Sequence, residues 1–276
     1  MLTTRFRFPH PRTADADGLV AIGGDLKPGT LLLAYRNGIF PWTTHPITWW
    51  SPHPRAIIEL DSVHVSRSLR RLMARGAFQV SFDTAFREVM EGCAKSRPGR
   101  EDTWISPQFI TAYTRLAEMG YAHSVECRRE GRLVGGLYGV SIGGFFAGES
   151  MFSEEPNASK TALVSMVDRL RSRGWLLFDV QILTPHLKSM GAINVPREEY
   201  LRRLAAAVDR KCDFGREVSQ PSAEQSEEPL AGRPGGRPVR QPGSSLPPAE
   251  PPARQRGSAL QPARRPGQDG RQGGGS

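Results

Sequence analysis

An acidic residue and a hydroxyl residue, Glu149 and Ser150, follow a long uncharged and glycine-rich stretch that runs from residue 133 to residue 147. Burying a carboxylate costs free energy unless the group has a partner or a chemical task. The neighbouring sequence offers no obvious partner, so we expect Glu149 to bind a cationic group of a substrate. The structural alternative is an ion pair between Glu149 and a core arginine or lysine, such as Lys160.

A second acidic residue, Asp179, lies in an apolar strand pattern two positions before Gln181. Because side chains alternate along a strand, both side chains point to one face. A carboxylate and an amide that converge there could accept and relay the proton of an amine. The structural alternative for Asp179 is a buried carboxylate that caps a helix or accepts hydrogen bonds from backbone amides.

A short predicted helix, with Ser66 as its N-cap and Gly76 as its stop, carries four basic residues, Arg67, Arg70, Arg71 and Arg75. Their spacing brings all four to one side of the helix. The formal net charge of the chain is +9, and a basic domain is typical of a protein that binds a polyanion, most often nucleic acid. The plainer explanation is the arginine-rich composition of a GC-rich genome.

Several common kinds of catalytic site are disfavoured. The G-x-S-x-G elbow of serine hydrolases would need glycine where Phe152 stands. An acetyl-CoA site needs a glycine-rich turn before its helix, but residues 153–160 contain two acids and no glycine. The three cysteines form no C-x-x-C and the six histidines no H-x-x-x-H, so we expect neither a disulfide framework nor a metal site.

The elements that must position these residues are both helices and strands. Hydrophobic periodicity and capping residues predict helices at 28–37, 67–75, 83–95 (with Asp83 as the cap), 106–120, 158–173, 186–190 and 197–211. Strands are predicted at 122–129, 132–142, 145–152 and 175–182, the first three forming an antiparallel meander. The fold class is therefore α+β with a mainly antiparallel sheet. The order of its elements resembles the acyltransferase (GNAT-like) fold of acetyl-CoA-dependent N-acetyltransferases.

Composition divides the chain into three parts. A small N-terminal α/β domain is predicted over residues 1–62, and the GNAT-like domain over residues 63–212. Residues 213–276 are rich in Pro, Gly and Arg, with Phe214 as their only aromatic residue, and such a composition predicts a disordered tail. The N-terminus has no apolar signal-peptide core and the stretch 133–147 is too short to span a membrane, which predicts a cytoplasmic protein.

Ten ordered motifs cover about residues 5–210. They are GLVAIGGDL (18–26), GIFPW (38–42), WWSP (49–52), HVSRS (64–68), TWI (103–105), AHSVE (122–126), GGLYG (135–139), GESMFS (148–153), NASKTAL (157–163) and DVQ (179–181). With these motifs the chain closely resembles the leucyl/phenylalanyl-tRNA–protein transferases.

The resemblance implies an activity and its partners. The family moves leucine or phenylalanine from its tRNA ester to the α-amino group of a protein that begins with Arg or Lys, and the product enters N-end-rule degradation. The partners would be leucyl-tRNA or phenylalanyl-tRNA and an acceptor protein, and methionyl-tRNA is a further candidate donor. No cofactor or metal is required, and we expect a monomer without a membrane partner.

The resemblance also implies residue roles. Asp179 would help to deprotonate the amine with Gln181 as relay or orienter, although positioning aided by the tRNA itself is the alternative. Glu149 would contact the acceptor peptide or the aminoacyl amine. Further substrate contacts are implied for the apolar pocket (Leu137, Phe146, Phe178), the adenosine cleft (Trp42, Trp104, Tyr113, Ser150) and the tRNA-binding helix (Arg67, Arg70, Arg71, Arg75).

Two other functions fit parts of the pattern. One is an acetyl-CoA-dependent acetyltransferase of the same fold class, for which the phosphate cradle is missing. The other is an RNA-binding protein without enzymatic activity, which would leave the placement of Glu149 and Asp179 without an explanation.

Overall fold

A computed structural model describes residues 4–95 and 103–215 of the chain. The α-helices in this part are α1 (Pro28–Arg36), α2 (Arg67–Ala74), α3 (Phe86–Ala94), α4 (Pro107–Glu118), α5 (Ala158–Ser172), α6 (Pro185–Ser189) and α7 (Arg197–Val208). The strands are β1 (Leu19–Ile22), β2 (Phe40–Thr44), β3 (Ile47–Trp50), β4 (Arg55–Ile58), β5 (Gln79–Phe82), β6 (Ala122–Arg129), β7 (Arg132–Ile142), β8 (Phe145–Ser153), β9 (Leu177–Gln181) and β10 (Ile193–Val195). None of these helices is long and apolar enough to cross a membrane.

Local sequence explains most helix ends. The Ser66 hydroxyl accepts a hydrogen bond from the Leu69 amide and begins α2, and Ser106 begins α4 in the same way. The prediction that Asp83 caps α3 is wrong. Its carboxylate accepts the Ser124 amide of β6 at 2.9 Å instead, and the N-cap residue is Ala85, which makes no side-chain cap.

A seven-stranded sheet with the order β10-β4-β9-β8-β7-β6-β5 dominates the fold. Strands β8 and β9 are parallel, and the other neighbours in this sheet are antiparallel, which gives the mixed α+β fold with a mainly antiparallel sheet. A second, three-stranded sheet has the order β1-β3-β2.

Apolar side chains cover both faces of the large sheet. The front face packs against α1, α3, α4 and α7 through one apolar cluster. The back face packs against α2, α5 and α6 through a second cluster. Because the sheet is covered on both sides, residues 145–152 of β8 and all of β9 are buried, and the polar side chains among them are shielded from water.

Strand β4 precedes residue 62 in the sequence but is hydrogen-bonded between β9 and β10 of the large sheet. The N-terminal part of the chain therefore supplies one strand to the sheet that carries Asp179. A division into domains at residue 62 stays a prediction.

The chain segment after Cys212 remains packed on the large sheet as far as it is described. The Phe214 ring stacks on His123 with ring centroids 3.8 Å apart, contacts Phe82 and Trp175, and is only 5% exposed. Residues 216–276 of the predicted tail lie outside the described residues.

We expect Phe214→Ala to lower the free energy of unfolding by about 3 kcal/mol, because the deletion leaves a cavity among three aromatic rings. Urea denaturation followed by circular dichroism measures the change. A chain that ends at Gly215 is the control and should keep the stability of the full chain. A loss below about 1 kcal/mol for Phe214→Ala would show that the ring contributes little.

Candidate active site

The candidate site lies where two parallel strands of the large sheet stop pairing. Strands β8 and β9 are paired only from Phe145 to Ala147 and from Leu177 to Asp179. Glu149 and Gln181 follow directly after the paired segment, and the Gln181 Nε2 donates to Glu149 Oε1 at 2.8 Å. Beyond the paired segment, β8 and β9 are therefore linked by a side-chain hydrogen bond and not by backbone hydrogen bonds.

A β-bulge directs Glu149. Gly139 of β7 is opposite Gly148, and the preceding residue Tyr138 is opposite Ser150, so Glu149 is the extra residue of β8. Bulges bend a strand and redirect a side chain, and they are common beside active sites. Here the Glu149 carboxyl, which is only 1% exposed, points to the front face, towards the tyrosines of α1 and α4.

Gln181 holds its position through an unusual backbone conformation. Its φ is +65°, and the Ile182 amide donates to the Val180 carbonyl across it at 2.7 Å, which is the pattern of a classic γ-turn. Such a conformation costs about 1–3 kcal/mol and clusters at functional sites. The Gln181 amide donates to Asp179 Oδ1 at 2.8 Å, which stabilises the turn.

Asp179 is fully engaged by hydrogen bonds. Arg55 of β4 donates from Nε to Oδ1 at 2.9 Å and from Nη2 to Oδ2 at 2.6 Å. The Tyr200 hydroxyl donates to Oδ2 at 2.9 Å, and the Gln181 amide donates to Oδ1. Four hydrogen bonds occupy the lone-pair sites of a carboxylate, and Asp179 has no exposed surface.

Arg55 is itself buried on every side. It is 1% exposed, its Nη1 donates to the Gly38 carbonyl at 3.1 Å, and its guanidinium lies over the Tyr200 ring, 4.4 Å from the centroid. Burial alone would lower the pKa of Arg55, but the Asp179 carboxylate reverses this and raises the pKa above its ordinary value. The Arg55 guanidinium therefore keeps its positive charge in spite of its burial.

Glu149 has no such cation in direct contact. Its partners among the described residues include Gln181, the Tyr113 hydroxyl, which donates to Oε2 at 3.4 Å, and the Tyr35 hydroxyl, but not Lys160. The Tyr113 hydroxyl is in turn hydrogen-bonded to that of Tyr35 at 2.5 Å. Burial raises the pKa of Glu149 to about 8, against the opposing effect of hydrogen bonds from the tyrosines.

The predicted apolar pocket residues lie on the other face of the sheet. Leu137, Phe146 and Phe178 are all fully buried in the back cluster, and the rings of Phe146 and Phe178 meet edge to face with centroids 5.3 Å apart. The structure therefore brings these three together, but it separates them from the Glu149 carboxyl by the thickness of the sheet.

The residues predicted to line the adenosine cleft divide into two groups. Tyr113 and Ser150 lie beside Glu149, whereas Trp42 and Trp104 pack against other aromatic rings. Trp42 packs edge to face on Trp50, with ring centroids 5.0 Å apart, and Trp104 packs on Phe109 at 5.2 Å. Both tryptophans are partly exposed. The Ser150 hydroxyl and the Trp104 indole nitrogen are buried and have no hydrogen-bond partner in the described part of the chain.

The four arginines of α2, Arg67, Arg70, Arg71 and Arg75, are all exposed. None of them forms an ion pair with another residue of the ranges 4–95 and 103–215. A row of unpaired guanidinium groups on one helix is available to an anionic partner.

Three residues of the site, Arg55, Tyr35 and Tyr200, are absent from the sequence-based prediction. Tyr35 and Tyr200 come from helices whose contacts are not local. Arg55 did leave a signal, because it begins the apolar strand Arg55–Ile58 and a buried arginine requires a carboxylate partner.

Fold and site together define a class of protein: an α+β enzyme with a buried carboxyl, an amide and a fixed ion pair at the divergence of two parallel strands. Comparison with known proteins gives the family. A model of the leucyl/phenylalanyl-tRNA protein transferases matches residues 57–205, and a model of the N-terminal domain of this family matches residues 24–53.

Curated relatives agree with these matches. The leucyl/phenylalanyl-tRNA–protein transferase of Anaeromyxobacter sp. strain K is 50% identical over 212 residues, or 76% of this chain and 91% of the relative. That of Syntrophobacter fumaroxidans is 52% identical over 75% of this chain and 90% of the relative. That of Thiobacillus denitrificans is 52% identical over 73% and 90%. The chain belongs to the leucyl/phenylalanyl-tRNA–protein transferase family of aminoacyltransferases.

We expect Arg55→Met to lower the free energy of unfolding by about 3–5 kcal/mol, because it leaves the buried Asp179 carboxylate without its cation. The double variant Arg55→Met with Asp179→Leu should lose less than the sum of the two single variants. Arg203→Met is the control, since its partners Glu59 and Glu199 are 39% and 28% exposed and ion pairs in contact with solvent contribute about 1 kcal/mol or less. Urea denaturation measures all four, and additive losses would contradict the coupling.

The raised pKa of Glu149 predicts a pH dependence of stability. Between its ordinary pKa of 4.5 and about 8, the folded chain binds a proton that the unfolded chain does not. The stabilisation from this proton is complete below pH 4.5 and is lost as the pH rises to 8. Over that range the free energy of unfolding falls by up to about 1.4 kcal/mol per pH unit. Glu149→Gln should remove the slope, and the surface variant Glu118→Gln should keep it. A slope that survives in Glu149→Gln would exclude Glu149 as its origin.

Proposed function

We propose that this protein transfers leucine or phenylalanine, with methionine as a third candidate, from aminoacyl-tRNA to the α-amino group of proteins that begin with Arg or Lys. The product would be marked for N-end-rule degradation in the cytoplasm. The single observation that carries the proposal is the family match together with a buried carboxyl, Glu149, at the point where β8 and β9 diverge. The position of this divergence also supports a GNAT-like architecture, and we propose that the chain acts as a monomer.

The reaction is the aminolysis of an ester. A bond forms between the acceptor nitrogen and the aminoacyl carbon, and the bond from that carbon to the ribose oxygen breaks. The attacking nitrogen must lose a proton, and the leaving oxygen must gain one. Because the ester is already activated, the protein has to orient the amine, accept this proton and stabilise the oxyanion.

Glu149 is the group best suited to accept the proton. Within the described residues its carboxyl accepts hydrogen bonds from Gln181 and from tyrosines of α1 and α4, and no cation contacts it directly. Its pKa of about 8 is close to that of an α-amino group, at about 8, so the proton transfers with little change in free energy. Glu149 would then return the proton to the ribose oxygen.

Asp179 has a different part in this proposal. All its lone-pair sites are filled by Arg55, Tyr200 and the Gln181 amide, so it has no site left for a proton from the amine. We infer that Asp179 is a positioning residue, which holds the turn at Gln181. Gln181 in turn orients Glu149 through its side chain, and the same side-chain amide would face the acceptor.

The transferred side chain would enter between the diverging strands towards the back face. Leu137, Phe146 and Phe178 belong to the apolar cluster on that face, and we propose that they contact this side chain. An unbranched or γ-branched side chain fits beside a backbone more easily than a β-branched one, which favours leucine over isoleucine. Trp42, Trp104, Tyr113 and Ser150 would contact the terminal adenosine and the adjoining cleft. The Ser150 hydroxyl and the Trp104 indole nitrogen would supply the unused donors.

An acetyl-CoA-dependent reaction has less support. The first amides of α5 are already occupied, since Ser159 donates to the Ser153 hydroxyl and Ala158 donates to the Glu155 carbonyl. The preceding acids, Glu154 and Glu155, would repel a pyrophosphate. Calorimetry with coenzyme A should therefore detect no binding.

The transfer assay is the direct test. The protein is incubated with leucyl-, phenylalanyl-, methionyl- or isoleucyl-tRNA and a peptide that begins with Arg. We expect transfer of leucine and phenylalanine but not isoleucine, and none to the same peptide beginning with Glu. Glu149→Gln should lower kcat/KM at least 100-fold without changing tRNA affinity, and Glu118→Gln should have no effect. If no aminoacyl group reaches the peptide, the proposed function is wrong.

The arginines of α2 should act on affinity and not on chemistry. We expect the double variant Arg67→Gln with Arg71→Gln to weaken tRNA binding. The slope of log K against log salt should fall by about 1.8, because binding with two fewer phosphate contacts releases fewer counterions. The kcat at saturating tRNA should stay constant. Arg87→Gln on α3, where Arg87 is paired with Glu91, is the control. A fall in kcat without a change in affinity would contradict this role.

A further inference from the structure

Two side chains near the candidate site, Lys160 and His186, have no part in the reaction proposed above. Lys160 lies in the first turn of α5, and His186 lies in α6. Lys160 forms no ion pair with another residue of the described ranges. The Nε2 atom of His186 is buried and has no hydrogen-bond partner in the same ranges. Both groups need a partner, and one bound anion would serve both.

The two side chains are neighbours. Burial lowers the pKa of His186, and the nearby positive charge of Lys160 lowers it further. The imidazole is therefore neutral at pH 7 and keeps one N–H donor. An ammonium group and a neutral N–H donor together suit the oxygens of a phosphate, whereas they offer no charge to a cationic ligand.

Helices α5 and α6 begin at the edge of the sheet that carries the candidate site. Strand β8 ends at Ser153 and leads into α5, and β9 ends at Gln181 and leads into α6. Because β8 and β9 are parallel, the first turns of both helices lie beyond the same ends of the two strands, and both helices pack on the back face. Lys160 and His186 therefore lie on the back side of the edge at which the strands diverge.

The acids that precede α5 are neutralised by other partners. Glu155 contacts Arg129 of β6 and Arg132 of β7, and Glu154 contacts Lys95. In the sheet, β7 and β6 are on the opposite side of β8 from β9, so Glu155 is held away from the α6 side of α5. An anion on that side would be bound by side chains and not by the amides of a helix N-terminus, which distinguishes it from a coenzyme A cradle.

The basic helix α2 lies beside both of these helices. It packs against α5, and the segment that leads into it is hydrogen-bonded to the end of α6, where the His64 amide donates to the Met190 carbonyl at 2.9 Å. From His64 to Arg67, the first residue of α2, the chain spans at most about 11 Å. A polyanion that lies on the arginines of α2 can therefore extend one end past α5 and α6 to the candidate site.

We propose that Lys160 and His186 bind a phosphate of the unpaired 3′ end of the tRNA, between the part of the tRNA that lies on α2 and the ester at Glu149. This inference rests on the proposed function for the identity of the polyanion. Lys160 would supply a positive charge and His186 a neutral donor, and neither would take part in the chemistry. Phosphate contacts fix the register of a nucleic acid, so this contact would place the ester beside Glu149.

The experiment uses leucyl donors of increasing size: leucyl-adenosine, which has no phosphate, the leucyl ester of the trinucleotide CCA, which has phosphates but no helical body, and leucyl-tRNA. Lys160→Gln should lower kcat/KM at least about tenfold with the trinucleotide and the tRNA, because it removes a charge-assisted contact, and should leave leucyl-adenosine unchanged. Lys188→Gln is the matched control. It removes an exposed lysine of α6 that lies two positions after His186 and so on another side of the helix, and it should change none of the three.

The His186 ring is tested with a pair of variants. His186→Leu should lower kcat/KM with the trinucleotide about fivefold, because it removes one neutral hydrogen bond. His186→Gln keeps an N–H donor near the position of Nε2 and should restore most of this loss. Equal losses in the two variants would show that the ring contributes packing and not a hydrogen bond.

Each other result for Lys160→Gln overturns the proposal. Unchanged kcat/KM with all donors would show that Lys160 contacts no phosphate. A loss with leucyl-adenosine as large as that with the trinucleotide would show that Lys160 acts on the candidate site itself. An equal loss for Lys188→Gln would show that only the overall charge of the protein matters.

A binding measurement separates this inference from the proposed function. Fluorescence anisotropy compares a labelled RNA hairpin that has an unpaired CCA end with the same hairpin without that end, and it requires no transfer. The end should add affinity for the unchanged protein and for Lys188→Gln, and at least about tenfold less affinity for Lys160→Gln. If the unchanged protein transfers no leucine, the proposed function fails, but this comparison still decides whether Lys160 contacts the 3′ end.

Discussion

The buried ion pair between Arg55 and Asp179 is the interaction on which the candidate site depends. Neither side chain is more than 1% exposed, so each charge is tolerable only because the other is present. The pair joins β4, from the N-terminal quarter of the chain, to β9, near the end of the core. Through Tyr200 and the Gly38 carbonyl it also ties α7 and the end of α1 to the same point. Four distant segments must therefore assemble before either charge can be buried.

The two acids of the candidate site have different surroundings. Asp179 is saturated with donors, and it stabilises the γ-turn that directs Gln181 to Glu149. Glu149 is equally buried, but its neighbours are an amide and phenols and not a cation. A low-dielectric environment without a counter-charge favours the neutral form of a carboxyl. The two carboxyls lie on neighbouring strands, β8 and β9, and the roles proposed for them follow from this difference in environment.

Much of the fold could be predicted from the sequence because its signals are local. The meander β6–β8, the long helix α5 and the caps Ser66 and Ser106 follow from periodicity and from residues within one or two turns. Asp83 shows the limit of such reasoning. Its type and position suit a helix cap, but its carboxylate instead accepts the backbone amide of Ser124, 41 residues later on β6. The four strands of the N-terminal part were not predicted, because short strands near Pro, Gly and Trp have weak periodicity.

By itself, the sequence determined the family and indicated the carboxyl and amide residues of the candidate site and the basic side of α2, because each depends on residue types at short, fixed spacings. Only the tertiary structure decided what Glu149 and Asp179 touch. Their partners, Gln181 for the one and Arg55 for the other, are 32 and 124 residues away, and a bulge and a γ-turn set their directions. The apolar residues Leu137, Phe146 and Phe178 were likewise evident in the sequence, but their position behind the sheet was not. The face to which a side chain points depends on strand register, and register is a property of the assembled sheet.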